Sequence, residues 1–204
     1  MTKAVWGVGL RRAGAVGLIL ASVSCGSLTR QGTSSSYLII TSLEAAPGGV
    51  TAGTFGSVLL SDVIVVKDGV ASIYSDQGRV TFGLGLKDPG PSTSPATPTQ
   101  NNFITVNRYH VRYIRADGHN IEGVDVPYAF DDAFTVTVSG ETTAGFTAVR
   151  NQAKQEAPLA ALGLNPIVVS TLAEVTFYGH DQTGREVSAV GSLSVSFANF
   201  ADPK

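Results

Sequence analysis

The sequence predicts an all-β fold, a two-layer antiparallel β-sandwich of about eight or nine strands. Three observations carry that expectation. From Tyr37 onward, apolar and polar residues alternate with a period of two in one segment after another, the pattern of strands with one buried and one wet face. Glycine is abundant (23 residues), and Thr, Ser and Val recur throughout, as strands joined by tight turns require. With 204 residues, 43% of them hydrophobic and 15% charged, the chain can bury one substantial core, and its composition is neither that of a disordered tail nor that of a nucleic-acid binder.

The elements follow in chain order. A short strand is expected at Tyr37–Ser42. The stretch "GSVLLSDVIVVKDG" is apolar on both parities, which predicts a strand covered on both sides or one containing a bulge; another short strand is expected near Ala71–Tyr74. "GRVTFGLGLKD" sets Val80, Phe82, Leu84 and Leu86 on one face. "KDPGPSTSPATPTQNN" (Lys87 to Asn102) holds four prolines among small polar residues, a long exposed loop. "NFITVNRYHVRYIRAD" places Phe103, Tyr109, Val111 and Tyr113 on one face and Arg108, His110 and Arg112 on the other, and "DAFTVTVSG" places Phe134, Val136 and Val138 together. "RNQAKQEAPLAALGLNP" predicts an irregular crossing with at most one helical turn, since Pro158 interrupts it. Finally, Ala173, Val175 and Phe177, then Val187 to Phe197 at alternate positions, predict two long strands joined as a hairpin through "HDQTGRE".

This strand rhythm over residues 37–200 resembles an immunoglobulin-like or fibronectin type III-like domain, including the long hairpin that ends the chain. The Cys-Trp-Cys core signature of antibody domains is absent, because the single Trp6 and the single Cys25 both precede the strands. Such a likeness implies a fold and carries no activity with it.

The first residues have a different logic. Lys3, Arg11 and Arg12 make Met1–Arg12 basic, and Ala13–Ser24 is an apolar run of 12. A membrane-spanning helix needs roughly 20 apolar residues, so the run fits the core of a secretory signal, with Ser22 and Ser24 supplying the small-x-small cleavage pattern. The stretch "ASVSC", with Ser24 before Cys25 and Gly26 after it, resembles the lipobox of bacterial lipoproteins, although Ser22 stands where such boxes usually carry Leu. The resemblance implies that residues 1–24 are removed, that Cys25 is lipidated, and that the membrane is a partner through that anchor. Residues 25–36, polar and small, would then be a flexible tether to a domain spanning 37–204. Ordinary signal peptidase would cut the same bond, leaving the domain secreted or periplasmic. One acyl chain binds a membrane reversibly and two or more hold it stably. Without the leader the chain keeps 11 basic against 16 acidic residues, a net −5, with no electrostatic drive toward nucleic acid.

Catalytic motifs are missing: no G-x-S-x-G elbow, phosphate-binding G-x-x-x-x-G-K-[ST] or H-E-x-x-H occurs. "DGHN" around His119, near Asp117 and Asp125, has the residues of a tight turn rather than the spacing of a calcium loop. Asp131 and Asp132, adjacent on a strand, point to opposite faces and do not form a dyad. The stripe of Arg108, His110 and Arg112 is the candidate partner-binding surface, for a carboxylate, a glycan acid or an acidic edge; the competing reading is a solvated face balanced by cross-strand acids. The expectation is therefore an exported, lipid-anchored cell-envelope domain, not an enzyme, that binds a partner or contributes structure, without cofactor or metal. The alternatives are a shallow-site enzyme or carbohydrate-binding protein of the envelope, and a subunit of an envelope or filament assembly joined through strand edges.

Overall fold

The computed structural model describes residues 33–49 and 53–200. The signal segment, the lipobox with Cys25 and the tether up to Gly32 lie outside the described residues. The described strands are β1 (Ser36–Ala46), β2 (Val58–Asp62), β3 (Val65–Lys67), β4 (Val70–Ser72), β5 (Asp76–Leu86), β6 (Ile104–Ile114), β7 (Phe130–Val138), β8 (Thr142–Val149), β9 (Val169–Asp181) and β10 (Glu186–Ala198). They form an all-β sandwich. One sheet has the order β1-β5-β8, the other β2-β10-β9-β6-β7, and β3-β4 is a separate small hairpin turning through Asp68 and Gly69, both with positive φ.

The alternation in the sequence becomes the core. Val80 and Phe82 on β5, Val111 and Tyr113 on β6, Ala173, Val175 and Phe177 on β9, and Leu193, Val195 and Phe197 on β10 are all buried, facing the opposite sheet. Phe82 and Phe177 meet edge to face across the layers with ring centroids 5.1 Å apart, and Tyr109 packs edge-on against Phe146 at 5.4 Å. The Tyr109 hydroxyl donates to Asp132 and accepts from the Thr147 N–H, tying β6 to β7 and to β8 of the other sheet. Val190, an apolar residue among the serines of one face of β10, is exposed.

Four features depart from the sequence expectation. The ladders are antiparallel except one: β2 joins β10 in parallel, Val58↔Ser194 to Ala198↔Asp62. The stretch apolar on both parities is two strands, β2 and β3, belonging to different sheets; Val58 and Leu60 are exposed while Ser61 is buried, since its hydroxyl is needed inside, as described next. Strand β6 shifts register between Val106 and Arg108, so Ile104 and Val106 share the core with Tyr109, in the place that simple parity gives to Phe103. The crossing after β8 holds two short helices, α1 (Asn151–Gln155) and a 3-10 helix (Leu159–Gly163), because Ala153, Leu159 and Leu162 are needed as a buried lid on the sandwich.

The pairing of β1 with β5 runs from Ser36↔Leu86 to Ala46↔Gln77, which defines two ends. At the α1 end, Lys154 and Asp76 form an ion pair 2.8 Å long with neither side chain exposed. The ammonium also donates to the Asp62 carbonyl, and the carboxylate accepts from Ser61 Oγ and the Gly48 N–H. Burial raises the Asp76 carboxyl above its ordinary range, opposed by the Lys154 charge and by those hydrogen bonds.

Candidate functional site

At the other end a cleft of about 630 Å3 opens between β1, the end of β5 and the β9–β10 turn, within the range of small-ligand sites. Its wall is built from the chain entry at Ser34 and Ser36–Leu38, from Lys87, from Asn107 and Arg108 on β6, and from Tyr178–His180, Gly184 and Glu186–Ser188 around the hairpin. Local sequence explains why these segments converge. Asp181 caps the hairpin by accepting from the Thr183 and Arg185 N–H groups and from the Thr183 hydroxyl, while Gly184 takes the positive φ that the turn needs. Burial alone would raise the Asp181 carboxyl, but bonds from Thr183, Arg185 and Ser34 hold it below its usual range. Gly179 pairs with Val106 beside the β6 bulge, where a Cβ would collide with the Thr105 carbonyl; only glycine lets the two backbones approach.

The bulge decides where the candidate stripe points its charges. Arg108 pairs in register with Tyr178, His110 with Asp131, and Arg112 with Glu174. The last two are matched: His110 Nδ1 lies 3.2 Å from Asp131, and Arg112 Nε donates to Glu174 at 2.7 Å. Arg108 has no carboxylate among the described residues; its guanidinium stacks 4.2 Å from the centroid of the Tyr178 ring. Of the three stripe residues, the structure brings only Arg108 into the cleft. On the opposite wall Lys87 stands 5.0 Å over the ring of Tyr37. Ser36, 1% exposed, lines the same cleft and its hydroxyl has no hydrogen-bond partner among the described residues. Thus the cleft holds two cation–aromatic pairs, one acid (Glu186), and several small hydrogen-bonding groups.

Sequence reasoning overlooked Lys87, Tyr37, Tyr178 and Ser36. The signal for Tyr178 was its place opposite Arg108, which needs the register of two strands. Asp131 and Asp132 are engaged separately, with His110 and with the Tyr109 hydroxyl. Around His119 the chain makes a turn: Gly118 has positive φ and Asp117 accepts from the His119 N–H. Among the described residues no three His, Cys, Asp or Glu side chains are grouped as metal ligands. No family model, curated protein or solved structure matches the chain.

Proposed function

We propose that the protein is an exported cell-envelope binding module, held to a membrane by lipid on Cys25, whose immunoglobulin-like sandwich presents a ligand cleft at one end. The observation that carries the binding reading is the cleft itself, with Arg108 stacked on Tyr178 and, among the described residues, without the carboxylate that its stripe neighbours possess. The immunoglobulin-like reading is supported by strand order. β1-β5-β8 corresponds to A-B-E, and β10-β9-β6-β7 to G-F-C-C′, with the first strand divided between sheets as β1 and β2. Antibody domains pack a tryptophan of strand C on a disulfide between B and F; here the equivalent strands contribute Tyr109, Phe82 and Phe177, with the Phe177 ring in contact with each of the other two. In this correspondence the cleft lies at the end of the B–C and F–G connections, which carry antigen recognition in variable domains.

Two measurements test the reading. A labelled fatty acid fed to cells is expected in the wild-type protein and absent from Cys25→Ala; no label in either removes the anchor. A photo-cross-linker placed at Ser188, at the cleft, is expected to capture a discrete envelope component, whereas one at Glu141, in the β7–β8 turn, is not. Equal capture from both positions, or none from Ser188, removes the cleft as the binding site.

A further inference from the structure

The cleft also carries the chemical class of its ligand, an inference that rests on the binding reading above. We infer that it takes a monocarboxylate borne on a hydroxylated ring, an acidic saccharide. Among the described residues the wall carries the Lys87 and Arg108 cations and the Glu186 carboxylate, a net +1 from these three. One carboxylate neutralises that charge, whereas a phosphate monoester, at about −1.5 to −2, overshoots it. One of the two cations is an arginine, Arg108, whose planar fork can donate to both oxygens of a carboxylate at once. Tyr178 holds that fork in place from one side at 4.2 Å, leaving its N–H donors unused by protein among the described residues. Also on the wall, Ser36 Oγ is buried and unpartnered among the described residues, a polar atom whose desolvation is uncompensated until something supplies the missing hydrogen bond. Two further polar wall groups, Ser188 and Asn107, are of the size and type that pair with ring hydroxyls. The matched pairs of His110 and Arg112 lie on the same strand outside this wall, so the assignment separates one arginine from its neighbours.

The test titrates the detergent-purified full chain with galacturonate, its neutral methyl ester, and glucose 6-phosphate, reading affinity calorimetrically and location by the amide signals of Ser36, Arg108 and Tyr178. Expected are binding of galacturonate with shifts at all three residues, at least tenfold weaker binding of the methyl ester, and at least a tenfold loss in Arg108→Ala. Arg108→Lys keeps the charge without the fork and should recover only part of that loss; Arg112→Ala should bind as wild type. Tighter binding of glucose 6-phosphate overturns the carboxylate assignment while leaving the cleft as a site. Equal binding of the acid and its ester, or equal loss in Arg112→Ala, overturns the role of the Arg108 fork. Absence of binding by all three probes overturns the ligand class, and the cross-linking at Ser188 then decides independently whether the cleft binds anything.

Discussion

Each end of the sandwich holds a cation, and the two are treated in opposite ways. At the α1 end Lys154 is fully enclosed, paired with Asp76 and bonded to the Asp62 carbonyl. At the cleft end Arg108 is exposed, propped on an aromatic ring, and has no acid paired with it among the described residues. A buried charge that loses its counter-ion costs several kcal/mol, so the α1 end is constrained by folding and cannot be varied cheaply. An exposed guanidinium stacked on tyrosine costs the fold little to keep or lose. The cleft is therefore the end whose chemistry is free to answer to a ligand.

The largest expected effect is at the enclosed pair. Asp76→Ala leaves the Lys154 ammonium buried without its partner and should lower unfolding free energy by about 3–5 kcal/mol, read from denaturant midpoints. Lys154→Met should cost less, because Asp76, its carboxyl already raised by burial, can take up a proton. If both substitutions cost the same, that asymmetry is wrong. Next comes Gly179→Ala, which drives a Cβ into the Thr105 carbonyl at the bulge. It should cost about 1–3 kcal/mol and displace the amide signals of the cleft; an unperturbed spectrum would mean that the close approach does not shape the site.

Smaller still is the effect of pH at the hairpin. The Asp181 carboxyl lies below its usual range in the fold, so its ionised form contributes stability at pH above the unfolded value near 3.9, and that contribution disappears as pH falls through the depressed folded value. Asp76 has the opposite sign: its raised carboxyl favours the fold most below the unfolded value, and the advantage is lost as pH rises through the raised one. Accordingly Asp181→Asn should be about 1–2 kcal/mol less stable than wild type at pH 7, with the gap closing in acid. A constant gap from pH 2 to pH 7 would contradict this. The smallest change is expected from Arg112→Ala. Its exposed pair with Glu174 is screened by solvent, and the variant should stay within about 0.5 kcal/mol of wild type in thermal melts, as should Arg108→Ala.

Much of the fold was legible in the sequence because a period of two is a direct record of burial. The strands carrying Phe82, Phe177 and Phe197, and the hairpin closed at Gly184, follow from alternation and turn residues alone. What could not be read depends on register between distant segments. Asp76 and Lys154 are 78 residues apart, and nothing local in "NQAKQ" marks its lysine as buried. The stripe on β6 was visible as a pattern, yet its three members differ only in what β7 and β9 set beside them: Tyr178, Asp131 or Glu174. The bulge at Asn107 then moved the start of the strand out of the simple parity that would have placed Phe103 inside. Polar residues buried for hydrogen bonding, such as Ser61 and Ser36, are equally silent in a hydrophobicity pattern.

The chain enters the described fold at the cleft end, where β1 starts at Ser36, and β10 leaves it at the α1 end, where Ala198 lies beside Asp62. Tension applied across the two ends would therefore run along the strands. β1 would be dragged lengthwise past β5, and β10 past β9 and β2, loading their ladder bonds together in shear rather than peeling them one at a time. A domain threaded in this way resists pulling far better than one whose terminal strands form a single hairpin, and the cleft would keep its shape under load until the whole β1 ladder gave way at once.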